Sequence, residues 1–266
     1  MAYSLGDWVL LFYIYCFIGW CFETTFVSIC KRRFVNRGFL FGPMLPIYGF
    51  GALTILVSTM PFRAHWWLVG LAGMAAATLL EYVTGVVMEA LFKVRYWDYS
   101  HKRFNFQGHI CLTSSLAWGG MSVLLVYYVN QPVEKLIAMI DPQICQIILF
   151  AVTVLFTVDL THAVTTAIDL KKLLARVDVM REEVRKLQKR IESLEMSAKE
   201  AKDQRLAQLT DEVSALRDRQ RMMGDMLAER FDAAKRGLLS RNPSALSKRY
   251  KEALDKIHEW QEARRS

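Results

Sequence analysis

Several signatures that would assign a chemistry at once are missing from this sequence. No C-x-x-C pair joins any of the five cysteines, Cys16, Cys21, Cys30, Cys111 and Cys145. All lie in or beside apolar runs and read as small hydrophobes, not as disulfides or metal ligands. No H-E-x-x-H spacing occurs, so neither a metal site nor a cofactor is expected. No G-x-x-x-x-G-K-[ST] loop occurs, so any nucleotide hydrolysis requires a separate ATPase subunit. Basic charge comes without a recognition motif, and nucleic acid is not expected as a partner. No Lys or Arg precedes the first apolar run, and no small-residue cleavage site precedes its basic flank; this argues against a removable signal peptide.

What is present divides into two unlike parts. The chain has 266 residues, 53% hydrophobic, and a net charge of +8. Residues 1–170 carry 10 Lys/Arg against 9 Asp/Glu, and residues 171–266 carry 24 against 17. Such asymmetry points to two different solvents. Apolar runs predict spans at Trp8 to Cys30, about Ile47 to Met60, Trp66 to Phe92, Ile110 to Val129 and Ile144 to Ile168, since about 20 residues cross the hydrocarbon core. The second is short. Four spans and a re-entrant loop are the alternative to five.

That second segment follows Arg37 to Gly51, which holds four glycines and two prolines. Short Gly/Pro-interrupted segments point to intramembrane sites, where irregular backbone must be packed in protein or line a wet cavity. The plainer expectation is a loop and a helix start, with Pro46 in the first turn.

Loop charge sets the orientation. Lys31, Arg32, Arg33 and Arg37 follow the first span, and Lys93, Arg95, Lys102 and Arg103 follow the third. Arg63 and Lys135 alone occupy the loops after the second and fourth. By the positive-inside rule the N-terminus lies outside and the C-terminus in the cytosol, in a cytoplasmic (bacterial inner) membrane.

From Leu173 the apolar period changes. Val177, Met180, Val184, Leu187, Ile191 and Leu194 form a heptad seam, which resumes out of phase from Leu206 to Leu227. The absence of Gly and Pro between Lys171 and Met223 favours one long helix; a hairpin is the alternative. The seam over 173–227 predicts a parallel homo-oligomer. Asn242-Pro243-Ser244 restarts a basic amphipathic helix, Ala245 to Ala263, expected against the coiled coil or on anionic lipid. The expected fold is therefore all-α: a polytopic bundle of about five spans (1–170), a cytosolic coiled coil (171–223) and a basic amphipathic tail (224–266).

Ionisable groups inside hydrocarbon ask for a partner or a function. Glu23 lies late in the first span. Glu81 and Glu89 share a face of the third, with Gly85 between, and Asp159 and His162 share a face of the fifth. Arg95 to Ser100, Asn105 to His109 and Trp118-Gly119 follow the third span. With the expected topology these gather on the cytosolic side as one vestibule, which argues against a proton relay crossing the bilayer. The blander expectation pairs Glu23 and Glu81 with Arg37, Arg95 or a tryptophan N–H, lets Glu89 snorkel, and ties Asp159 to His162.

Gly19-Trp20 with Glu23, Asn36 to Pro43, Pro46 to Gly51, Glu81-Tyr82, Trp97 to Ser100, Asn105 to Ile110 and Trp118-Gly119 form an ordered set of short motifs. Together they resemble the ABC-transporter type IV, or CmpB-like, family of integral membrane proteins, over about residues 8–170. The resemblance implies a polytopic bacterial membrane protein, a permease-like component lacking its own ATPase. The coiled coil looks like an elaboration.

The residues expected to bind a substrate or lipid headgroup are Glu23, Asn36, Arg37, Tyr48, Glu81, Trp97, Asp98, Tyr99, Asn105, His109 and Trp118, with Glu89, Asp159 and His162 as secondary pocket residues. Arg37 and His109 would meet an anionic group, and Glu23 and Glu81 would orient or neutralise. Two rival readings are an intramembrane enzyme acting on lipid, with Glu23 or Glu81 as general base beside His109 or His162, and a membrane-anchored coiled-coil scaffold.

Overall fold

The computed structural model describes residues 3–93 and 95–199, and isolated positions beyond them up to 226. Contacts divide the chain into two units, the first running to Thr166 and the second starting at Ala167.

The first unit begins with α1, Leu5–Lys31. Ser4 opens it with a capping box: its hydroxyl accepts the Asp7 N–H, and its own N–H reaches the Asp7 carboxylate. Arg32, at φ 50, closes it in the left-handed conformation. Residues 32–45 are irregular, and Pro46 takes the first position of α2, Pro46–Thr59, where its missing N–H leaves nothing unpaired. Pro46 thus stands in the first turn, as the plainer expectation has it. The irregular backbone is nevertheless packed: Leu40 and Leu45 are 1% and 5% exposed, and Leu45 N–H donates to the Cys16 carbonyl at 3.0 Å.

A 3-10 turn, Met60–Phe62, leads to α3, Trp66–Phe92. Two short antiparallel strands follow, β1 (Asn105–Phe106) and β2 (Ile110–Cys111). Ile110 and Cys111 therefore belong to a hairpin, not to the span expected there. The helix starts two residues later than expected, as α4, Leu112–Leu124, and continues through a π-helical turn, Leu125–Val129, into α5, Asn130–Ala138. Span four thus extends past Val129. The wide turn explains why Pro132 does not end it. Asn130 N–H bonds the Leu125 carbonyl five residues back, so the ladder is already re-spaced where the proline ring arrives.

The last helix, α6, is Pro142–Lys199, unbroken over 58 residues. The point where a hairpin would diverge from a single helix, Ala198 to Leu206, falls at and beyond the edge of the described residues. The seam side chains Val177, Met180, Val184, Leu187, Ile191 and Leu194 lie outside them, as do the helix expected over 245–263 and nearly all of the resumed seam.

Among the described residues, four helices are long and apolar enough to cross a membrane: Leu5–Lys31, Trp66–Phe92, Leu112–Ala138 and Pro142–Asp169, with Pro46–Phe62 as a shorter apolar helix. Their outer surfaces carry exposed Phe22, Phe26, Leu79, Leu116 and Leu155. Apolar side chains displayed this densely belong to a hydrocarbon solvent. The interior is built around α2, which packs against both α1 and α3, while α3 packs against α4. Leu11, Ile55, Leu56 and Val69 are essentially inaccessible there. Small residues permit the close approach. A methyl group on Gly19 would collide with the Tyr48 ring, and one on Gly49 would sit 2.7 Å from Phe12 Cδ2. In lipid, where burying apolar surface gains little, such intimate packing is what holds helices together.

Candidate functional site

Glu23, Glu81, Glu89 and their partners collect where the C-terminal halves of α1 and α3 meet the loops that follow them. Glu81 is the most enclosed carboxylate among them, 6% exposed. Its Oε1 accepts the Tyr99 hydroxyl at 3.1 Å; its Oε2 accepts Trp118 Nε1 at 3.1 Å and the Ser114 hydroxyl at 3.3 Å. Ser114 and Trp118 stand one turn apart on α4, so a single helix face supplies two of the three donors. All three donors are neutral. Burial first, then the neighbouring Glu81 carboxylate, pushes the Tyr99 phenol well above its ordinary value, so Tyr99 keeps its proton and stays a donor.

Tyr48, on α2, joins this group to a second one. Its ring lies 6.1 Å from that of Trp118, and its hydroxyl is within electrostatic reach of Glu23, Tyr99, Arg37 and Glu81. In the second group Arg37 Nε meets Glu23 Oε1 at 3.0 Å, and Arg37 N–H donates to the Thr24 hydroxyl at 3.3 Å. Asn36 is fixed on both sides, accepting Trp20 Nε1 at 2.6 Å and donating to the Phe41 carbonyl at 2.8 Å.

The third group is the loop after α3. Arg95 Nε pairs with Glu89 Oε2 at 2.8 Å, and His109 Nε2 lies 3.3 Å from the same oxygen. Trp97 Nε1 donates to the His109 carbonyl at 2.9 Å, and Tyr99 N–H to that of Gly108 at 2.8 Å, which lays residues 97–99 along the hairpin turn. Gly85 makes room for this: a methyl there would stand 2.9 Å from His109 Nδ1. Asp98 accepts the Ser100 N–H at 2.9 Å and lies 3.7 Å from Arg95 Nη1. Burial alone would raise its carboxyl; the Ser100 hydrogen bonds and the charges of Arg95 and His101 outweigh it and hold Asp98 below its ordinary range. Asn105 shapes the turn, donating to the Lys102 carbonyl at 2.7 Å and accepting the Gly108 N–H at 3.1 Å.

Asp159 and His162 share a face of α6, and both grip the loop before α2 without hydrogen-bonding each other. Asp159 accepts the N–H groups of Phe41 and Gly42, and the His162 ring lies 4.3 Å from that of Phe41. The expected Asp159–His162 bond is thereby replaced: the carboxylate accepts two backbone donors of the loop instead.

The geometry thus brings Glu23, Arg37, Tyr48, Glu81, Tyr99 and Trp118 together, and puts Trp97, Asp98, His109 and Glu89 in an adjoining group. The pairing of Glu23 with Arg37 and of Glu81 with a tryptophan N–H follows the blander expectation. Ser114, Trp20 and Arg95 take structural parts that the sequence reading left out of the site; the four-residue spacing of Ser114 and Trp118 was the available signal. A further network was also missed, at the opposite end of the first unit. There Tyr15 donates to Asn130 Oδ1 at 2.7 Å, Asn130 Nδ2 to Glu134 Oε1 at 2.6 Å, and Tyr3 bonds Glu134. Beside it opens a cavity of about 470 Å³ lined by Tyr3, Asp7, Glu134, Ile137, Cys145 and Leu149 among others. Ending the fourth span at Val129 placed Asn130 and Glu134 in a loop and hid their shared helix face.

Among the described residues, no three His, Cys, Asp or Glu side chains are grouped to hold a metal ion. No curated protein and no solved structure matches the chain. The family described as "Putative ABC-transporter type IV" matches residues 10–164, the stretch that contains the Glu81, Glu23–Arg37 and Glu89–Arg95 groups together with Asp159 and His162. That match covers more than half of the sequence, and the chain belongs to this family of ABC-transporter-related membrane proteins.

Proposed function

We propose that the protein is a permease-like component whose polar groups form a recess open to the cytosol, and that this recess receives a substrate or lipid headgroup. The observation that supports this reading is the state of Glu81. Its carboxylate is buried, held by three neutral donors, and has no cation at salt-bridge distance among the described residues. A carboxylate in an apolar span is costly until a proton or a cation joins it. Three fixed donors also hold its lone pairs in place, so an arriving ammonium group would meet an oriented partner.

Arg37 and His109 are each held by a carboxylate, Glu23 and Glu89. An anionic group would reach them by exchanging with those partners. The set therefore fits a ligand that carries both an amine, directed to Glu81, and an anion, directed to Arg37. The enzyme reading gains no support from the geometry, since His109 is engaged by Glu89 and His162 by Phe41. In the proposed arrangement the N-terminus lies outside the cytoplasmic membrane, the seam over 173–227 joins copies of the chain in the cytosol, and a separate ATPase subunit supplies energy. Loop-charge alternation and the heptad pattern support that part.

The test is mass spectrometry of lipids and small molecules that co-purify with the full chain from native membranes, for wild type and Glu81→Gln matched in thermal unfolding. A zwitterionic species kept by wild type and depleted at least tenfold in the variant is expected. Identical bound species in both would remove Glu81 from any ligand site.

A further inference from the structure

Two loops at the same end of the first unit carry the same short pattern. Lys31-Arg32-Arg33-Phe34 closes α1, and His101-Lys102-Arg103-Phe104 precedes the hairpin. They belong to one end because the rings of Phe39 and Tyr96, from the two loops, lie 5.6 Å apart. In each, a run of basic residues ends on a phenylalanine that faces out: Phe34 is 75% exposed and Phe104 80%. Among the described residues, none of Lys31, Arg32, Arg33, Lys102 and Arg103 has an ion-pair partner.

Neither phenylalanine sits on slack chain. Before Phe34, the Arg32 and Arg33 N–H groups return to carbonyls of α1; after it, Val35 is buried and donates to the Ser28 hydroxyl at 3.0 Å. Around Phe104, Lys102 N–H bonds the Tyr99 carbonyl at 2.8 Å, Asn105 bonds the Lys102 carbonyl, and Leu112 N–H bonds the Phe104 carbonyl at 3.1 Å. Phe104 itself is left-handed, at φ 54, a conformation that a bulky residue rarely adopts. Backbone strain and hydrogen bonds are thus spent on holding an apolar ring outward beside unpaired cations.

We infer that these two loops form a paired docking surface for anionic phospholipid. Each phenylalanine enters the boundary between headgroups and acyl chains, and the basic residues beside it bind lipid phosphates. An aromatic ring next to Lys and Arg is suited to this interface: the ring is stable at headgroup depth, and the cations gain from a negative surface. Water offers the ring nothing comparable. The surface is separate from the Glu81 group and stands whether or not that group binds a ligand.

The experiment uses the full chain, stripped of lipid in detergent and offered equimolar phosphatidylglycerol and phosphatidylcholine, with bound lipid counted by native mass spectrometry. Wild type is expected to retain phosphatidylglycerol in preference. Arg33→Gln/Arg103→Gln is expected to lower that preference by roughly fivefold or more per charge removed. Arg33→Lys/Arg103→Lys should keep most of it, and Phe34→Ser/Phe104→Ser should weaken retention of both lipids. A control that removes the same charge elsewhere, Lys186→Gln/Lys189→Gln on α6, should leave the preference unchanged. Equal retention of the two lipids by wild type, or a glutamine variant of the loops indistinguishable from the α6 control, would overturn the inference.

Discussion

Asp159 on α6 holds Gly42 in the loop before α2: its Oδ2 accepts the Gly42 backbone N–H at 2.8 Å, while its Oδ1 accepts that of Phe41 at 3.0 Å. This explains a carboxylate in the apolar first half of α6. Residues 32–45 form no helix of their own, and buried backbone donors there require acceptors from elsewhere in the fold. Asp159 supplies both acceptors from one side chain.

Asp159→Ala is accordingly expected to destabilise the protein by about 1–3 kcal/mol, the cost of leaving such donors unpaired. Asp159→Asn keeps one acceptor oxygen and should lose less. Thermal unfolding in detergent orders the three proteins. Should the alanine variant unfold with wild type, the loop is held by something else.

Close approach between helices gives a second prediction. Gly19 has the Tyr48 ring against it, whereas nothing lies within 4 Å of where a Gly120 methyl would be. Gly19→Ala must push Tyr48, and with it α2, and is expected to cost about 1–3 kcal/mol. Gly120→Ala meets open space and should be neutral or stabilising by up to about 1 kcal/mol, because alanine is the better helix former. The pair is compared by the same unfolding measurement. Equal effects would mean that α1 and α2 are not packed through Gly19.

These cases show what could be read before any coordinates. Glu23 with Arg37, and Glu81 with a tryptophan N–H, followed from the cost of bare charge in oil, a rule that acts on single residues. That Asp159 would serve a loop 117 residues earlier did not follow, because its helix neighbour His162 looked like the natural partner. Helix ends were also misjudged where local chemistry overrode apolarity. Ile110 and Cys111 are apolar enough for a span but are drawn into a hairpin by Asn105 and Gly108. Asn130 to Ala138 lies past the expected end of the fourth span, but a π-helical turn carries the helix on through Pro132. Periodicity reports which face is apolar; it does not report which distant donor lacks a partner.

Asp98 ties a pH dependence to the loop after α3. The Ser100 hydrogen bonds and the Arg95 and His101 charges hold its carboxyl below the ordinary range, against the upward push of burial. A carboxyl lowered by folding adds stability above its unfolded value, about pH 4, and loses it as pH falls through the folded value. Hydrogen exchange at residues 98–108 is therefore expected to be level between pH 5 and 7, after correction for intrinsic rates. Protection should fall on acidification below about pH 4. Asp98→Asn should show weak protection at every pH. A wild-type loop that loosens between pH 7 and 5 instead would assign the transition to a group other than Asp98.

The side of the membrane on which these groups lie decides what can reach them. Glu23, Glu81, Glu89 and Asp159 are all bonded to residues at or near the loops after α1 and α3, so one assignment fixes the position of the whole set. By the positive-inside rule that end is expected in the cytosol. Lys102 is exposed and has no ion-pair partner among the described residues, so a cysteine there can be read without disturbing the fold. In a background with the five native cysteines replaced by serine or alanine, Lys102→Cys should resist a membrane-impermeant maleimide in intact cells and react once the membrane is opened. A cysteine at Met139, 83% exposed at the opposite end, should react in intact cells. The reverse pattern would turn Glu81 and its donors toward the outside. A recess there would draw its ligand from the medium, and the basic loops would face a leaflet that lacks the cytoplasmic side's negative potential.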